Sequence, residues 1–403
     1  MPSGVFTLKS WLDSDYLRLV SLLLMIPGPT EIDERVIRAM ARQMIDHRSD
    51  EFRALMKSVV EKSRKIFEAN SSDIYILTSS GTGGVEAAAS NLAQPGDKVL
   101  ILSAGLFAER MAEAFAAYGA NVVKHPLENG QGPNPVAVKK LLEAHPDAAI
   151  VGFPFNETST GIISRDVKEI GRICREHGAL LVVDAVTAVG GVRVPVDEYN
   201  IDFCVAGTQK CLATPPGLAL VTVSKRAWEK IEQKKLRPPY FDLVKYRHFM
   251  ERWETPFTPA VTLFWAFDEA LNIIFEYGYE RWLARHAAGA AGLYAGLRSY
   301  GLEFYAGPGF ESPIVAAMHI PPGLTDTAIR ETMKKKYGIL ISGGLAHYKG
   351  KMFRIANIGL ITRDKVVNTI FALGKTLKSL GMDVDVSEAV ENTERELDRN
   401  WPS

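Results

Sequence analysis

The sequence has few cysteines, no excess of either charge and no long apolar run. Its 403 residues include three cysteines, Cys174, Cys204 and Cys211, too few for a disulfide framework. They lie in or beside apolar runs, as reduced thiols of cytosolic proteins do, so we expect a cytoplasmic protein. Lys and Arg number 47, as do Asp and Glu, so a net charge of +0 gives no field to attract nucleic acid or an acidic membrane. No apolar run is long enough to span a bilayer. From the balanced charge and the short apolar runs together, we expect neither a nucleic-acid partner nor a membrane partner.

A hydrophobic content of 47% over this length suits two or three domains with a sizeable core. We expect an N-terminal arm or extension at 1–24, a large domain at 25–280 and a smaller α+β domain at 281–382. The charged residues 383–403 are expected to form a loosely packed tail.

Short apolar runs alternate with amphipathic segments between residues 74 and 223. The runs are apolar on both faces, which indicates a mainly parallel sheet covered by helices on both sides. The expected fold class is therefore α/β. Strands are predicted at 74–78, 98–102, 121–124, 148–155, 179–183, 203–207 and 218–223, and helices at 85–92, 109–118, 135–144 and 166–177. The C-terminal part is predicted to contain helices at 263–277, 281–300, 326–337 and 365–380, with strands near 303–305, 314–319 and 353–358.

Four polar residues, Thr82, Thr158, Asp184 and Lys210, follow predicted strands directly. Ligands of parallel sheets bind at the carboxyl ends of the strands, so we expect these side chains to meet there. No cluster indicates a metal site.

Residues 80–84, Ser-Gly-Thr-Gly-Gly, lie between a predicted strand and a predicted helix. Free backbone N–H groups and the helix dipole make this geometry a phosphate cradle. A purely structural turn is the alternative. The turn lacks the Lys-Ser/Thr ending of a P-loop, and Glu86 stands where a dinucleotide fold has its third glycine.

Lys210 ends an apolar run, where nearby apolar surface can lower the pKa of a lysine and make it a nucleophile. Such amines form Schiff bases with carbonyl compounds, including the aldehyde of pyridoxal phosphate (PLP). Asp184 is either a structural cap or ion-pair partner, or the carboxylate that pairs with the pyridine nitrogen of PLP. A solvated loop lysine is the alternative for Lys210.

Phe107 and Arg354 each have two interpretations. Phe107 is either a core residue or a ring stacked on a cofactor. Arg354 interrupts an apolar strand, where its charge needs a partner. It forms either a surface salt bridge on an edge strand or a bidentate clamp for a substrate carboxylate.

Six motifs occur in one order, at 27–30, 80–87, 156–161, 184–186, 207–210 and 343–355 (Gly343-Gly344 with Arg354-Ile355). In this order they resemble the class V aminotransferases, which are fold type I PLP enzymes. The similarity is greatest to the alanine–glyoxylate and serine–pyruvate aminotransferase group and covers about residues 25–380. It implies a large PLP-binding domain with a sheet of about seven strands, and a homodimer with shared active sites.

The resemblance also implies residue roles. Lys210 would carry the cofactor and move the α-proton, while Asp184 would bind the pyridine nitrogen. Phosphate contacts would come from Thr82, Gly83, Gly84 and Gln209, and from Thr258 of the neighbouring subunit. Thr158 would lie near the phenolic oxygen, and Arg354, with the Gly28 backbone, would bind the substrate carboxylate. The sequence departs from the family pattern at two positions. Phe107 stands at the stacking position, which is often tryptophan in this group, and Thr255 stands where some relatives have a tyrosine.

The expected activity is transfer of an amino group from alanine or serine to glyoxylate or pyruvate by a ping-pong mechanism. A dicarboxylate such as 2-oxoglutarate would need a second cation, for which Arg48 is the candidate; its alternative is a solvated loop arginine. Aspartate with 2-oxoglutarate, another donor, a desulfurase-type lyase and a catalytically silent scaffold are the other hypotheses. The desulfurase needs a reactive cysteine on a late loop, but the last cysteine is Cys211.

Overall fold

The computed structural model describes residues 22–402. Its strands are β1 (Leu23–Met25), β2 (Asp73–Thr78), β3 (Lys98–Ser103), β4 (Asn121–Pro126), β5 (Ala148–Pro154), β6 (Asn156–Glu157), β7 (Ile162–Ile163), β8 (Leu180–Asp184), β9 (Phe203–Gly207), β10 (Leu218–Val223), β11 (Val315–His319), β12 (Ile339–Gly343) and β13 (Met352–Ala356). Its α-helices are α1 (Glu34–Met40), α2 (Asp50–Phe67), α3 (Gly81–Leu92), α4 (Leu106–Ala117), α5 (Pro135–Ala144), α6 (Val167–His177), α7 (Lys225–Gln233), α8 (Leu243–Met250), α9 (Val261–Tyr277), α10 (Tyr279–Ser299), α11 (Asp326–Tyr337), α12 (Arg363–Ser379) and α13 (Val386–Asn400).

The central sheet has seven strands in the order β2-β10-β9-β8-β5-β3-β4, and only β10 runs antiparallel to its neighbours. Alternate side chains of β3 pack into the two hydrophobic clusters that lie on opposite faces of this sheet. Val99 and Ile101 pack on one face of the sheet, and Leu100 and Leu102 on the other. The α/β fold with a mainly parallel sheet is thus confirmed.

Helix α3 begins at Gly81, four residues before the predicted start, so the glycine-rich turn is the first turn of the helix. Ser80 is its N-cap, and its hydroxyl accepts a hydrogen bond from the Gly83 N–H at 3.4 Å. Helix propensity disfavours glycine, which is why the pattern alone placed the start later.

A second sheet has the order β1-β12-β13-β11. Strand β1 pairs in parallel with β12, with Leu23 opposite Ile339, so it crosses the expected boundary between residues 24 and 25. Most of the expected arm, 1–21, lies outside the described residues. The predicted strand near 303–305 is wrong, because only an isolated bridge joins Phe304 to Met318.

The loosely packed tail expected at 383–403 is also wrong where the structure describes it. Residues 386–400 form helix α13, which buries Ala389, Thr393 and Leu397, spaced four residues apart. The helix approaches α10 so closely that a Cβ on Gly292 would lie 2.8 Å from Cγ of Leu397. The charges occupy the outer face of an amphipathic helix.

Among the helices described within residues 22–402, none combines the length and the hydropathy that crossing a membrane requires.

Candidate active site

The carboxyl ends of the central strands surround a cavity of about 530 Å³. Five predicted site residues line it: Thr82, Phe107, Thr158, Asp184 and Lys210. The remaining lining residues are Gly81, Val85, Glu86, Arg110, Ala114, Ala117, Tyr118, Asn156, Val186 and Thr187. Side chains from five strand ends therefore share one space, as parallel β–α connections allow.

Lys210 lies three residues beyond β9, and its Nζ donates a hydrogen bond to the carbonyl oxygen of Pro27. Burial lowers the pKa of Lys210 to about 8, an effect that the charges of Cys211 and Asp184 oppose and that of Arg354 increases. The alternative of a solvated loop lysine is therefore wrong. A substantial neutral fraction near pH 8 makes this amine a base and a nucleophile.

Asp184 is the last residue of β8 and is buried. Burial raises the pKa of its carboxyl to about 6; the Val186 N–H, which donates to Oδ1 at 2.9 Å, opposes the rise, as does Lys210, whereas Glu157 adds to it. In the described residues no cation forms a salt bridge with Asp184. A cationic donor that reaches this carboxylate would compensate the cost of burying its charge.

The glycines at the start of α3 allow close approach. A Cβ on Gly83 would lie 1.9 Å from Oγ of Ser79, and one on Gly84 would lie 2.5 Å from Cγ1 of Val205. The side-chain oxygen of Gln209, the residue before Lys210, is buried without a hydrogen-bond partner among the described residues. The free N–H groups of a helix N-terminus form a suitable setting for a phosphate group.

Asn156 and Thr187 line the cavity, although the sequence did not single them out. Thr187 Oγ1 accepts from the Asn156 amide at 3.0 Å and lies 3.1 Å from the Thr158 hydroxyl. The buried Oδ1 of Asn156 has no partner within the described chain. The only sequence signal was the position of Asn156 directly before Glu157 and Thr158.

Arg354 lies on β13 and is buried. Its Nε and Nη2 donate to the Gly343 carbonyl at 2.9 and 2.8 Å, and its Nη1 donates to the Thr158 carbonyl at 2.9 Å. Burial lowers the pKa of Arg354 to about 10, and the charges of Glu157 and Asp326 oppose this. No salt bridge to Arg354 is found across residues 22–402, so the surface salt bridge is the wrong alternative.

Gly28, which the resemblance assigned to carboxylate binding, lies directly against the side chain of Lys210. Its φ is +96°, and a Cβ there would lie 2.7 Å from Cδ of Lys210. The position therefore requires glycine both for its backbone angle and for the space that the lysine takes.

Two predicted residues lie elsewhere. Thr258 is exposed on a loop and does not line the cavity. Arg48, the candidate second cation, pairs with Glu254 at 3.0 Å and donates to the Thr255 carbonyl at 2.6 Å. A buried carboxylate already holds Arg48, so the structure favours neither the free second clamp nor the solvated loop arginine.

The chemistry of these donors fits PLP. The site offers an unpaired buried carboxylate for a protonated ring nitrogen, a helix N-terminus for a phosphate, and an amine of lowered pKa for an aldehyde. These features define an α/β enzyme of fold type I that uses PLP.

The class V aminotransferase family model matches residues 23–361, and the chain belongs to this family. An uncharacterized aminotransferase of Methanocaldococcus jannaschii is 39% identical over 370 residues, covering 91% of this chain and 96% of the relative. The (S)-ureidoglycine–glyoxylate transaminase of Bacillus subtilis is 32% identical over 375 residues, 87% of this chain and 88% of the relative.

Among solved structures, the pyridoxamine–pyruvate aminotransferase of Mesorhizobium loti superposes with a TM-score of 0.90 and 28% identity. The superposition covers 95% of this chain and 98% of that one. The chain is thus a PLP-dependent transaminase of class V, as the six motifs indicated.

Proposed function

We propose that this transaminase moves an amino group from a small amino acid, alanine or serine, to a small 2-oxo acid, glyoxylate or pyruvate, by a ping-pong mechanism. The observation that carries the proposal is Arg354, a buried guanidinium whose hydrogen bonds go to the carbonyls of Thr158 and Gly343. A carboxylate is a stronger acceptor than a neutral carbonyl, so Arg354 is suited to bind the carboxylate common to both substrates.

We assign the cofactor contacts from the geometry and the family resemblance. Thr82, Gly83, Gly84 and Gln209 would hold the phosphate, Thr158 would lie near the phenolic oxygen, and Phe107 would cover the ring. Asp184 would bind the protonated ring nitrogen. When bound, PLP supplies an aldehyde that takes up the amino group and a ring that withdraws electrons from the α-carbon.

Lys210 would move the reacting proton. Its Nζ, with a pKa lowered to about 8 by burial, can take the α-proton of the amino acid and return it during transfer. Gly28 would keep the backbone close to the lysine, and Arg354 would orient the substrate so that its α-carbon faces Nζ.

The preference for a small acceptor rests on the number of available cations. Glyoxylate and pyruvate carry one carboxylate, which Arg354 can meet. A dicarboxylate would bury a second one, and Arg48 is already paired with Glu254. Relatives named for glyoxylate and for pyruvate are consistent with this acceptor class.

A specific observation favours a second candidate, transamination between aspartate and 2-oxoglutarate. Arg110 lines the same cavity and is exposed, with its guanidinium 5.2 Å from the centre of the Phe107 ring. It could reach a distal carboxylate from the cavity mouth. A desulfurase has no such support, because all three cysteines are buried.

The test is kcat/KM for glyoxylate, pyruvate and 2-oxoglutarate with one common donor, measured again in Arg110→Gln. An unmet carboxylate costs a few kcal/mol, so we expect glyoxylate or pyruvate to exceed 2-oxoglutarate by about tenfold or more. An equal or better value for 2-oxoglutarate that Arg110→Gln abolishes would establish the second candidate instead. A panel of donors with the best acceptor then identifies the amino acid.

We also propose a homodimer with shared active sites. Thr258 follows the exposed Phe257, whose ring stacks on exposed Tyr240 at 5.2 Å. Exposed aromatic side chains are typical of interfaces. In the dimer, Thr258 would reach the phosphate bound by the partner subunit.

A further inference from the structure

Glu157 is a buried carboxylate between two residues that line the cavity, Asn156 and Thr158, and the motifs supplied no role for it. It is the last residue of β6 and is 1% exposed. Its Oε2 accepts from the N–H groups of Phe107 and Ala108, both at 3.1 Å. Its Oε1 accepts from the N–H of Ser159 at 3.1 Å and from the Ser159 hydroxyl at 2.5 Å.

These bonds cap helix α4 from outside its own segment. The N-cap of α4 is Gly105, which has no side chain to accept hydrogen bonds. The Leu106 N–H donates to Ser159 Oγ at 2.9 Å, so Glu157 and Ser159 together bind the first three N–H groups of the helix. A negative charge here also interacts favourably with the helix dipole. The backbone of Phe107 is thereby held in place.

Glu157 is also linked to Arg354, through the neighbouring residue Thr158 and through its charge. The next residue, Thr158, lines the cavity and accepts a hydrogen bond from Arg354 through its carbonyl. The negative charge of Glu157 stabilises the charged form of Arg354, a guanidinium for which the described chain provides no salt bridge. Burial raises the pKa of Glu157, while its bonds from Ser159, Ala108 and Phe107 lower it.

We infer that Glu157 is a positioning residue: it fixes Phe107 on the cavity wall and holds Arg354 ready for the substrate carboxylate. This inference rests on the proposed function, because it takes Arg354 to be the carboxylate site. Glu157 has no assigned contact with substrate or cofactor, so it acts through these two residues. Its removal should weaken carboxylate binding more than it slows turnover.

The test is Glu157→Gln in the holoenzyme, with Glu109→Gln as the matched control. Glu109 is also in the first turn of α4, but it binds Ser103 and Lys124 rather than the helix N–H groups. Three quantities are measured: KM for both substrates, the dissociation constant of the unreactive carboxylate propionate by calorimetry, and visible circular dichroism of bound PLP.

We expect Glu157→Gln to raise KM and the propionate dissociation constant about tenfold, with kcat changed less than about threefold, and to alter the dichroism band. Glu109→Gln should leave all three unchanged. A lower melting temperature with wild-type KM and dissociation constant would show that Glu157 only caps α4, and would overturn the inference.

If Glu157→Gln does not fold, Ser159→Ala decides. It removes the hydroxyl between Glu157 and Leu106, and a KM rise of about threefold supports the inference, whereas an unchanged KM overturns it. Arg354→Gln distinguishes failure of the carboxylate-site assignment from failure of the positioning role of Glu157. If that variant keeps wild-type KM, the carboxylate site itself is misassigned; if only Glu157→Gln keeps it, the positioning role alone fails.

Discussion

The side chain of Lys210 crosses directly over the α-carbon of Gly28: a Cβ at that glycine would lie 2.7 Å from Cδ and 2.8 Å from Nζ of the lysine. The two residues are 182 positions apart. Segment 26–30, which continues from strand β1 of the smaller sheet, thus lies against the lysine of the larger sheet. The position of the amine depends on both parts of the chain.

We expect Gly28→Ala to displace the lysine and lower kcat by about tenfold or more, because the methyl group would occupy the space of Cδ. Gly323→Ala is the matched control. Its φ of +80° imposes similar backbone strain, about 1–3 kcal/mol, but no atom lies within 4 Å of its Cβ. Both variants should lose stability, but only Gly28→Ala should lose activity. Steady-state kinetics that give equal kcat values for the two variants would contradict the steric argument.

Lys210→Ala should abolish transamination while the protein still binds some PLP through the contacts at the start of α3. Borohydride should attach PLP covalently to the wild-type protein but not to the variant. The control is Lys234→Ala: burial also lowers the pKa of Lys234, but this amine donates to the carbonyls of Ser90 and Ala93. Wild-type turnover in Lys210→Ala would refute the assignment.

Arg354→Gln should raise KM for both the amino acid and the 2-oxo acid by roughly ten- to a hundredfold, because one charged donor serves both carboxylates. Arg285→Gln is the comparison. Arg285 is another buried arginine with a lowered pKa and a carbonyl acceptor, Gly359. Steady-state kinetics and thermal unfolding of both should show a similar loss of stability, with a KM change only for Arg354→Gln.

Asp184→Asn should stabilise the apoprotein while abolishing activity. Because burial raises the folded pKa of Asp184 from 3.8 to about 6, the folded protein holds an extra proton between these values. The stability from that proton is present below pH 3.8 and is lost as pH rises through 6. At about pH 8 the variant should gain at most about 3 kcal/mol, and near pH 4 almost nothing.

Urea unfolding of both apoproteins at the two pH values measures this difference. A variant that is less stable than the wild type at the higher pH would show that the buried carboxylate is not penalised, and would contradict the pKa argument.

Mixed dimers test the role of Thr258. If it acts in the partner's site, a purified heterodimer of Lys210→Ala and Thr258→Glu subunits has one site with both defects and one intact site. It should show about half of the wild-type activity, although each homodimer is inactive. An inactive heterodimer would place Thr258 in its own subunit's site, and sedimentation of a fully active monomer would refute the dimer.

The sequence alone determined the fold class and predicted which groups react. The alternation of apolar strands and amphipathic helices between residues 74 and 223 is a local pattern, and burial on both faces follows from it. Asp184 and Lys210 were found because each directly follows such a strand. The six ordered motifs led to the family, since residue types and their order can be read without coordinates.

Only the tertiary structure decided the partners of the charged residues. Whether Arg354 is free for a carboxylate depends on Thr158, 196 positions away, and Arg48 is lost as a clamp because Glu254 lies beside it. The role of Glu157 could not be read from the sequence, because the N–H groups that it binds belong to α4. Strand β1 likewise found its neighbour across more than 300 residues. Local sequence sets which groups a segment carries, but the packing of distant segments selects which of them meet, and that selection settles burial, pKa and pairing.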